Sequence, residues 1–185
     1  MLDTNEIKKG MNIRVDGQLY RVLDHQHHKP GKGGAVMRTK IKNLTNGAIT
    51  EKTFRGGDRV EEVTLETKKY QYLYNRGGSY CFMDVETYEQ ILYPEEKLGS
   101  AAKFLKDNTE VNVLLHESDV IGIDLPKNVT LKVIYTEPGH RGNTATNVTK
   151  PATVETGIEV QVPLFINKGD SIVVDIESGE YVERL

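Results

Sequence analysis

One lysine of the sequence stands in a glycine-rich turn, where no neighbour along the chain can bury it or pair with its ammonium group. It is Lys32 of the segment Lys29-Pro30-Gly31-Lys32-Gly33-Gly34, which separates two strand-like runs, residues 19–25 and 36–42. Proline presets φ and glycine accepts positive φ, so this segment predicts a hairpin turn. We expect one long cation to project from the tip; a solvated surface lysine is the plainer interpretation.

The run after this turn carries a cation at every second position. Arg38, Lys40 and Lys42 share one parity with Val36, whereas Met37, Thr39 and Ile41 have the other. Alternate residues of a strand face opposite sides. The pattern therefore predicts a basic stripe at the root of the Lys32 loop.

A second exposed loop is predicted at residues 138–146. Arg141 is its only Lys, Arg, Asp or Glu residue, and Gly142, Asn143 and Thr144 follow directly. Glycines leave the backbone accessible, so the loop suits contact with nucleic-acid phosphates, or it is a flexible connection.

His25, His27 and His28 invite a metal interpretation, which we do not favour. His25 and His27 alternate on one strand, which would place two imidazoles on one face, but no further ligand follows at a recognisable spacing. Neither a phosphate-binding P-loop nor a nucleophile elbow occurs, and Cys81 has no local base. We therefore expect a binding protein without metal, cofactor or catalytic residues.

Composition indicates a globular chain of uneven charge. Residues 1–64 hold 12 Lys+Arg and 8 Asp+Glu, a net charge of +4, whereas residues 65–185 hold 12 and 19, a net charge of −7. This asymmetry favours an RNA-facing first part. With no long apolar run, no signal-like start and a single cysteine, we expect a cytoplasmic protein without a membrane segment. We also expect a monomer.

Short alternating segments separated by Gly and Asn-Gly turns predict an all-β chain of three small blocks. We expect limits at residues 1–64, 65–126 and 127–185. Residues 95–106 form the one plausible helical region, and Gly99 divides it. Five-stranded barrels close at this size.

Several motifs resemble bacterial elongation factor P. They include the Lys32 segment with Arg38-Thr39-Lys40, and the long stretch Lys150-Pro151-Ala152-Thr153-Val154-Glu155-Thr156-Gly157 that continues to Gly169. Glu180-Tyr181-Val182-Glu183-Arg184 is similar to the C-terminal strand of that family. The resemblance covers nearly the whole chain.

The resemblance implies an SH3-like barrel followed by two OB-fold barrels, in an L-shaped arrangement like a tRNA. It also implies a function: relief of ribosomes that stall at consecutive prolines. The factor would sit between the peptidyl and exit sites, beside the peptidyl-tRNA. A paralogous or general OB-fold RNA-binding protein without this activity is the alternative.

The same resemblance assigns roles to particular residues. Lys32 would contact the acceptor end of the tRNA, and a modifying enzyme would extend it by β-lysylation or an aminopentanol-type arm, unless it stays unmodified. Arg38, Lys40 and Lys42 would meet RNA phosphates. In the third domain, the loop of residues 142–146 and the pair Tyr181 and Arg184 occupy positions that the family uses near tRNA and the small subunit. Asn143 stands where family members often carry an acidic residue.

Overall fold

The structure, a computed structural model, describes residues 2–28, 36–139 and 148–185, and strands are the main secondary structure of this part of the chain. Its strands form three antiparallel sheets, which confirms the predicted all-β class. Among the described residues, no helix is long and apolar enough to cross a membrane.

The first sheet has six strands in the order β1-β6-β2-β3-β4-β5. Their bounds are β1 Leu2–Asp3, β2 Asn12–Val15, β3 Gln18–His28, β4 Val36–Asn43, β5 Ile49–Arg55 and β6 Arg59–Glu62. A short 3-10 helix, Thr4–Glu6, follows β1. Apolar side chains from five of these strands and from Ile7 form one core, because alternate positions point inward.

The second sheet has five strands in the order β11-β10-β7-β8-β9. Their bounds are β7 Glu66–Arg76, β8 Ser79–Asp84, β9 Gln90–Pro94, β10 Glu110–His116 and β11 Asp119–Asp124. Its buried face is aromatic: the ring of Tyr72 lies 5.5 Å from that of Tyr80 and 5.7 Å from that of Phe82, measured between centroids.

The predicted helical region is split as expected. Helix α1 covers Glu95–Leu98 and a 3-10 helix covers Ser100–Phe104. Gly99 separates them with a φ of 74°, a left-handed conformation that glycine adopts without a Cβ penalty.

The third sheet has five strands in the order β14-β13-β12-β15-β16. Their bounds are β12 Asn128–Thr136, β13 Thr149–Val154, β14 Glu159–Pro163, β15 Ser171–Asp175 and β16 Glu180–Arg184. The first and last strands of this order also lie against each other, so the sheet curls into a barrel. Its core includes Phe104 from the preceding 3-10 helix.

The chain divides into two compact units, residues 1–68 with 112–124, and residues 69–111 with 125–185. In the first unit, Leu19 and Leu44 share a small apolar cluster with Val63 and Leu114. In the second, Phe104 joins the core of the third sheet. The limits of the three predicted domains stay a prediction, as does their L-shaped arrangement.

Candidate nucleic-acid interface

The long hairpin of β3 and β4 is the element that carries the Lys32 segment. Its strands pair as far as His28 opposite Val36, and residues 29–35 connect these two ends. The whole predicted loop, Lys29, Pro30, Gly31, Lys32, Gly33 and Gly34, lies outside the described residues. The hairpin therefore fixes where the segment leaves the sheet.

Buried and exposed side chains alternate strictly along β4 from Met37 to Ile41. Met37, Thr39 and Ile41 are buried, and the Thr39 hydroxyl donates a 2.7 Å hydrogen bond to the Lys52 carbonyl of the next strand. Arg38 and Lys40 are consequently exposed on the opposite face, with Lys42 half-buried at its end. The described residues thus include the three cations of the predicted stripe, on one side of the sheet.

Carboxylates on the neighbouring strands make this stripe less uniformly positive than the sequence of β4 suggests. Lys40 lies opposite Asp24 on β3 and opposite Glu51 on β5. Within the described ranges, none of the three stripe cations has a carboxylate oxygen within ion-pair distance. Two carboxylates therefore weaken the positive potential around the middle of the stripe without binding its cations directly.

Two further cations share this face and were not predicted. Arg21 lies opposite Lys42, and Arg55 lies opposite Val36 near the loop end. Arg21 is held by Asp124 at 2.8 Å between Nη1 and Oδ2. The pairing register of β4 with β3 and with β5 is the signal that would have revealed Arg21 and Arg55.

The three histidines of β3 do not converge. His25 and His27 lie opposite Thr39 and Met37, on the buried face of β4, whereas His28 lies opposite Val36 on the other face. His25 is half-buried, and its Nδ1 has no hydrogen-bond partner among the described residues. No group of three or more His, Cys, Asp or Glu side chains in the described ranges is placed to hold a metal ion.

The third sheet positions Tyr181 and Arg184 on its last strand. Tyr181 is half-buried against the core, opposite Val174. The Arg184 guanidinium lies 5.2 Å from the centroid of the Phe165 ring, and its Nη1 lies 3.7 Å from Asp170 Oδ2. Arg141, Gly142, Asn143 and Thr144 lie outside the described residues, so their predicted RNA contact stays a prediction.

A polar cavity of about 520 Å³ lies in the second unit. Tyr72 and Tyr80 line it, together with the ion pair of Lys106 and Glu155, whose Nζ and Oε1 are 3.7 Å apart. Burial raises the pKa of Tyr72 to about 12, and the nearby Tyr80 and Asp107 add to this shift. This tyrosine is accordingly neutral at physiological pH and acts through its ring and hydroxyl.

Three protein-family models match successive parts of the chain. They are described as elongation factor P (EF-P) KOW-like domain at residues 3–60, elongation factor P (EF-P) OB domain at residues 65–123, and elongation factor P, C-terminal, at residues 129–184. Together the three matches extend over nearly the whole sequence.

Two solved structures resemble parts of the chain. One is described as the eukaryotic translation initiation factor 5A from Methanococcus jannaschii, 23% identical, covering 66% of this chain and 94% of its own at a TM-score of 0.46. The other, a translation initiation factor 5A family protein from Naegleria fowleri, is 14% identical and covers 67% and 96% at 0.48. At these TM-scores, neither similarity carries the assignment.

Proposed function

Because this chain belongs to the elongation factor P family of translation factors, we propose that it binds the ribosome between the peptidyl and exit sites. There it would lie beside the peptidyl-tRNA and stimulate peptide-bond formation where consecutive prolines stall the ribosome. The observation that carries the proposal is the succession of three family matches along one chain.

The β3–β4 hairpin supports a role in positioning. Its two strands stay paired up to His28 and Val36, and β5 pairs with β4 as far as Arg55 opposite Val36, so this end of the sheet leads to the Lys32 segment. A short connecting segment can enter a space that would exclude a whole barrel, and the ammonium group of Lys32 can bond to the RNA backbone. Proline is a poor partner in peptide transfer, and holding the tRNA end in a reactive pose lowers that barrier without new chemistry.

The basic face of the hairpin supports contact with RNA behind the tip. Arg38 and Lys40 are exposed and free of ion pairs within the described residues, so they can bind phosphates and release counterions. Asp24 and Glu51 beside Lys40 reduce nonspecific attraction. We propose that the stripe orients the hairpin and that Lys32 makes the decisive contact.

Two further proposals concern the chemistry at Lys32 and the third sheet. A modifying enzyme would lengthen Lys32 by β-lysylation or an aminopentanol-type arm, or the lysine acts unmodified. Contacts of the third domain with tRNA and the small subunit would come from two groups of residues. One is Tyr181 and Arg184, and the other is Arg141, Gly142, Asn143 and Thr144. Asn143 lacks the carboxylate that many relatives carry, so this contact would depend on neutral hydrogen bonds.

A defined translation system tests the proposal. The readout is full-length product from a reporter with three consecutive prolines, compared with a proline-free reporter. Native protein, unmodified recombinant protein and Lys32→Ala are added in parallel, with the exposed Lys168→Ala as the matched control. We expect the native protein and Lys168→Ala to raise the proline product selectively, and Lys32→Ala to lose most of this effect while keeping its fold.

The comparison of native and recombinant protein then measures the contribution of a modification. Equal stimulation by Lys32→Ala would contradict the assigned role of the tip. No selective stimulation by native protein, together with binding to single-stranded RNA, would favour the general RNA-binding alternative.

A further inference from the structure

Phe165 is an exposed aromatic residue held by an ordered turn. The residue is 56% exposed, whereas the next residue, Ile166, is fully buried in the core of the third sheet. The Asn167 side-chain amide donates to the Phe165 carbonyl at 3.2 Å, and the Asn167 backbone N–H donates to Asp170 Oδ2 at 2.9 Å. These hydrogen bonds hold the backbone that follows the ring, and the exposure of the ring is built into the turn.

A guanidinium group lies over this ring. Arg184 of β16 is 5.2 Å from the ring centroid, and Asp170 holds its Nη1 at 3.7 Å. A cation over an aromatic face is attracted by the ring quadrupole. Since Phe165 stays exposed beside Arg184, the ring can receive a second flat partner.

The turn also lies against the strand end that leads to a predicted RNA-contact loop. A Cβ added to Gly139 would lie 2.5 Å from the Leu164 carbonyl oxygen, so these two backbones touch. Phe165 directly follows Leu164. The turn that carries the aromatic ring therefore lies against Gly139, which comes two residues before Arg141 in the sequence.

We propose that Phe165, backed by Arg184, is a stacking site for one unpaired nucleobase of the RNA that this factor meets on the ribosome. The proposal rests on the function proposed above and adds a base contact to the predicted phosphate contacts. A nucleobase offers a π-face to the open side of the ring, and its phosphate can reach the guanidinium. Stacking on an aromatic side chain tolerates any base, so the site would add affinity without reading sequence.

The test compares the ribosome affinity of full-length variants that separate aromatic character from bulk. We expect Phe165→Ala and Phe165→Leu to weaken binding about ten-fold, as the loss of one base stack predicts. Phe165→Tyr and Phe165→Trp should stay within about two-fold of the wild type, because both keep a π-face. Leu92→Ala, at a position 67% exposed on the second sheet, is the matched control and should bind like the wild type.

The source of the base is identified by cross-linking. The chain contains no tryptophan, so Phe165→Trp places the sole indole of the factor at this turn. Ultraviolet cross-links recovered on the tagged variant should connect position 165 to one nucleotide. The identity of that nucleotide shows whether the base belongs to tRNA, mRNA or ribosomal RNA.

The outcomes separate this inference from the proposed function. If the wild-type protein fails to bind ribosomes, the proposed function and the stacking site are both overturned. If wild-type protein binds and Phe165→Ala binds equally well, the stacking site alone is overturned. Full binding by Phe165→Leu with loss in Phe165→Ala would indicate an apolar protein contact and would also overturn it.

Discussion

At the scale of single residues, Lys150 shows how a charged side chain serves the architecture. It is 6% exposed, and its Nζ donates a 2.6 Å hydrogen bond to the Glu137 carbonyl. A buried ammonium group is costly unless it is hydrogen-bonded. The bond joins the end of β12 to the start of β13, the two strands between which the predicted RNA-contact loop is inserted.

Substitution of Lys150 should therefore destabilise the third sheet. We expect Lys150→Ala to lower the free energy of unfolding by about 2–4 kcal/mol, because a charge-assisted bond and a buried stem are lost together. Lys150→Met keeps the apolar stem, so its free energy of unfolding should lie between those of the wild type and the alanine variant. Chemical denaturation followed by circular dichroism measures both; a change below about 0.5 kcal/mol, as expected for the exposed Lys168→Ala, would contradict this role.

At the scale of elements, strand β11 approaches the turn after β4 unusually closely within the first unit. A Cβ placed on Gly122 would overlap with the Leu44 carbonyl oxygen, which no side chain tolerates without backbone movement. Leu44 belongs to the small cluster with Leu19, Val63 and Leu114, and Arg21 binds Asp124 at the end of β11. The absence of a side chain at position 122 is thus what allows this packing.

Gly122→Ala should cost more stability than a glycine substitution that only strains the backbone. We expect a loss of about 3 kcal/mol or more, since overpacking against a fixed carbonyl forces strand displacement. Gly57→Ala is the matched control: its φ is 98°, but an added Cβ meets nothing within 4 Å. It should lose only about 1–2 kcal/mol. Equal losses in thermal or chemical unfolding would show that β11 moves freely away from Leu44.

At the scale of the whole molecule, we propose three domains with limits at residues 1–64, 65–126 and 127–185. Packing crosses the second of these limits, because Phe104 lies before it and yet contributes to the core of the third sheet. A Cβ added to Gly179, at the turn before β16, would be 3.5 Å from Phe104 Cζ. The 3-10 helix therefore stabilises the strand that carries Tyr181 and Arg184.

Truncation of Phe104 should accordingly destabilise the third domain, although this residue lies before the proposed start of that domain at residue 127. We expect Phe104→Ala to lower the free energy of unfolding by about 3–5 kcal/mol, as for a buried phenylalanine in a core. Limited proteolysis should then cleave the variant faster within residues 127–185. Leu92→Ala, at an exposed position of the same unit, should leave both measurements unchanged; an unaffected Phe104→Ala would indicate that the third domain folds independently of the 3-10 helix.

The sequence by itself determined the features that depend on a residue and its near neighbours. Alternation placed Arg38, Lys40 and Lys42 on one side of β4, and a glycine divided the helical region at position 99, as the structure has them. The family followed from motifs that are contiguous in the chain. These signals are local, because side-chain direction in a strand and the φ of a glycine are set within a few residues.

Four strands escaped prediction, namely β1, β6, β9 and β13. Each is two to six residues long and has a polar or interrupted pattern. Such strands form because neighbouring strands supply hydrogen-bond partners.

The tertiary structure alone decided which distant residues meet. It placed Asp24 and Glu51 beside Lys40, Arg184 over Phe165, and Phe104 in the core of the third sheet. These neighbours follow from strand register and sheet order, and a bulge such as the shift between Val22 and Asp24 changes which side chains face each other. No local pattern encodes that register, because it is set by the packing of the whole sheet.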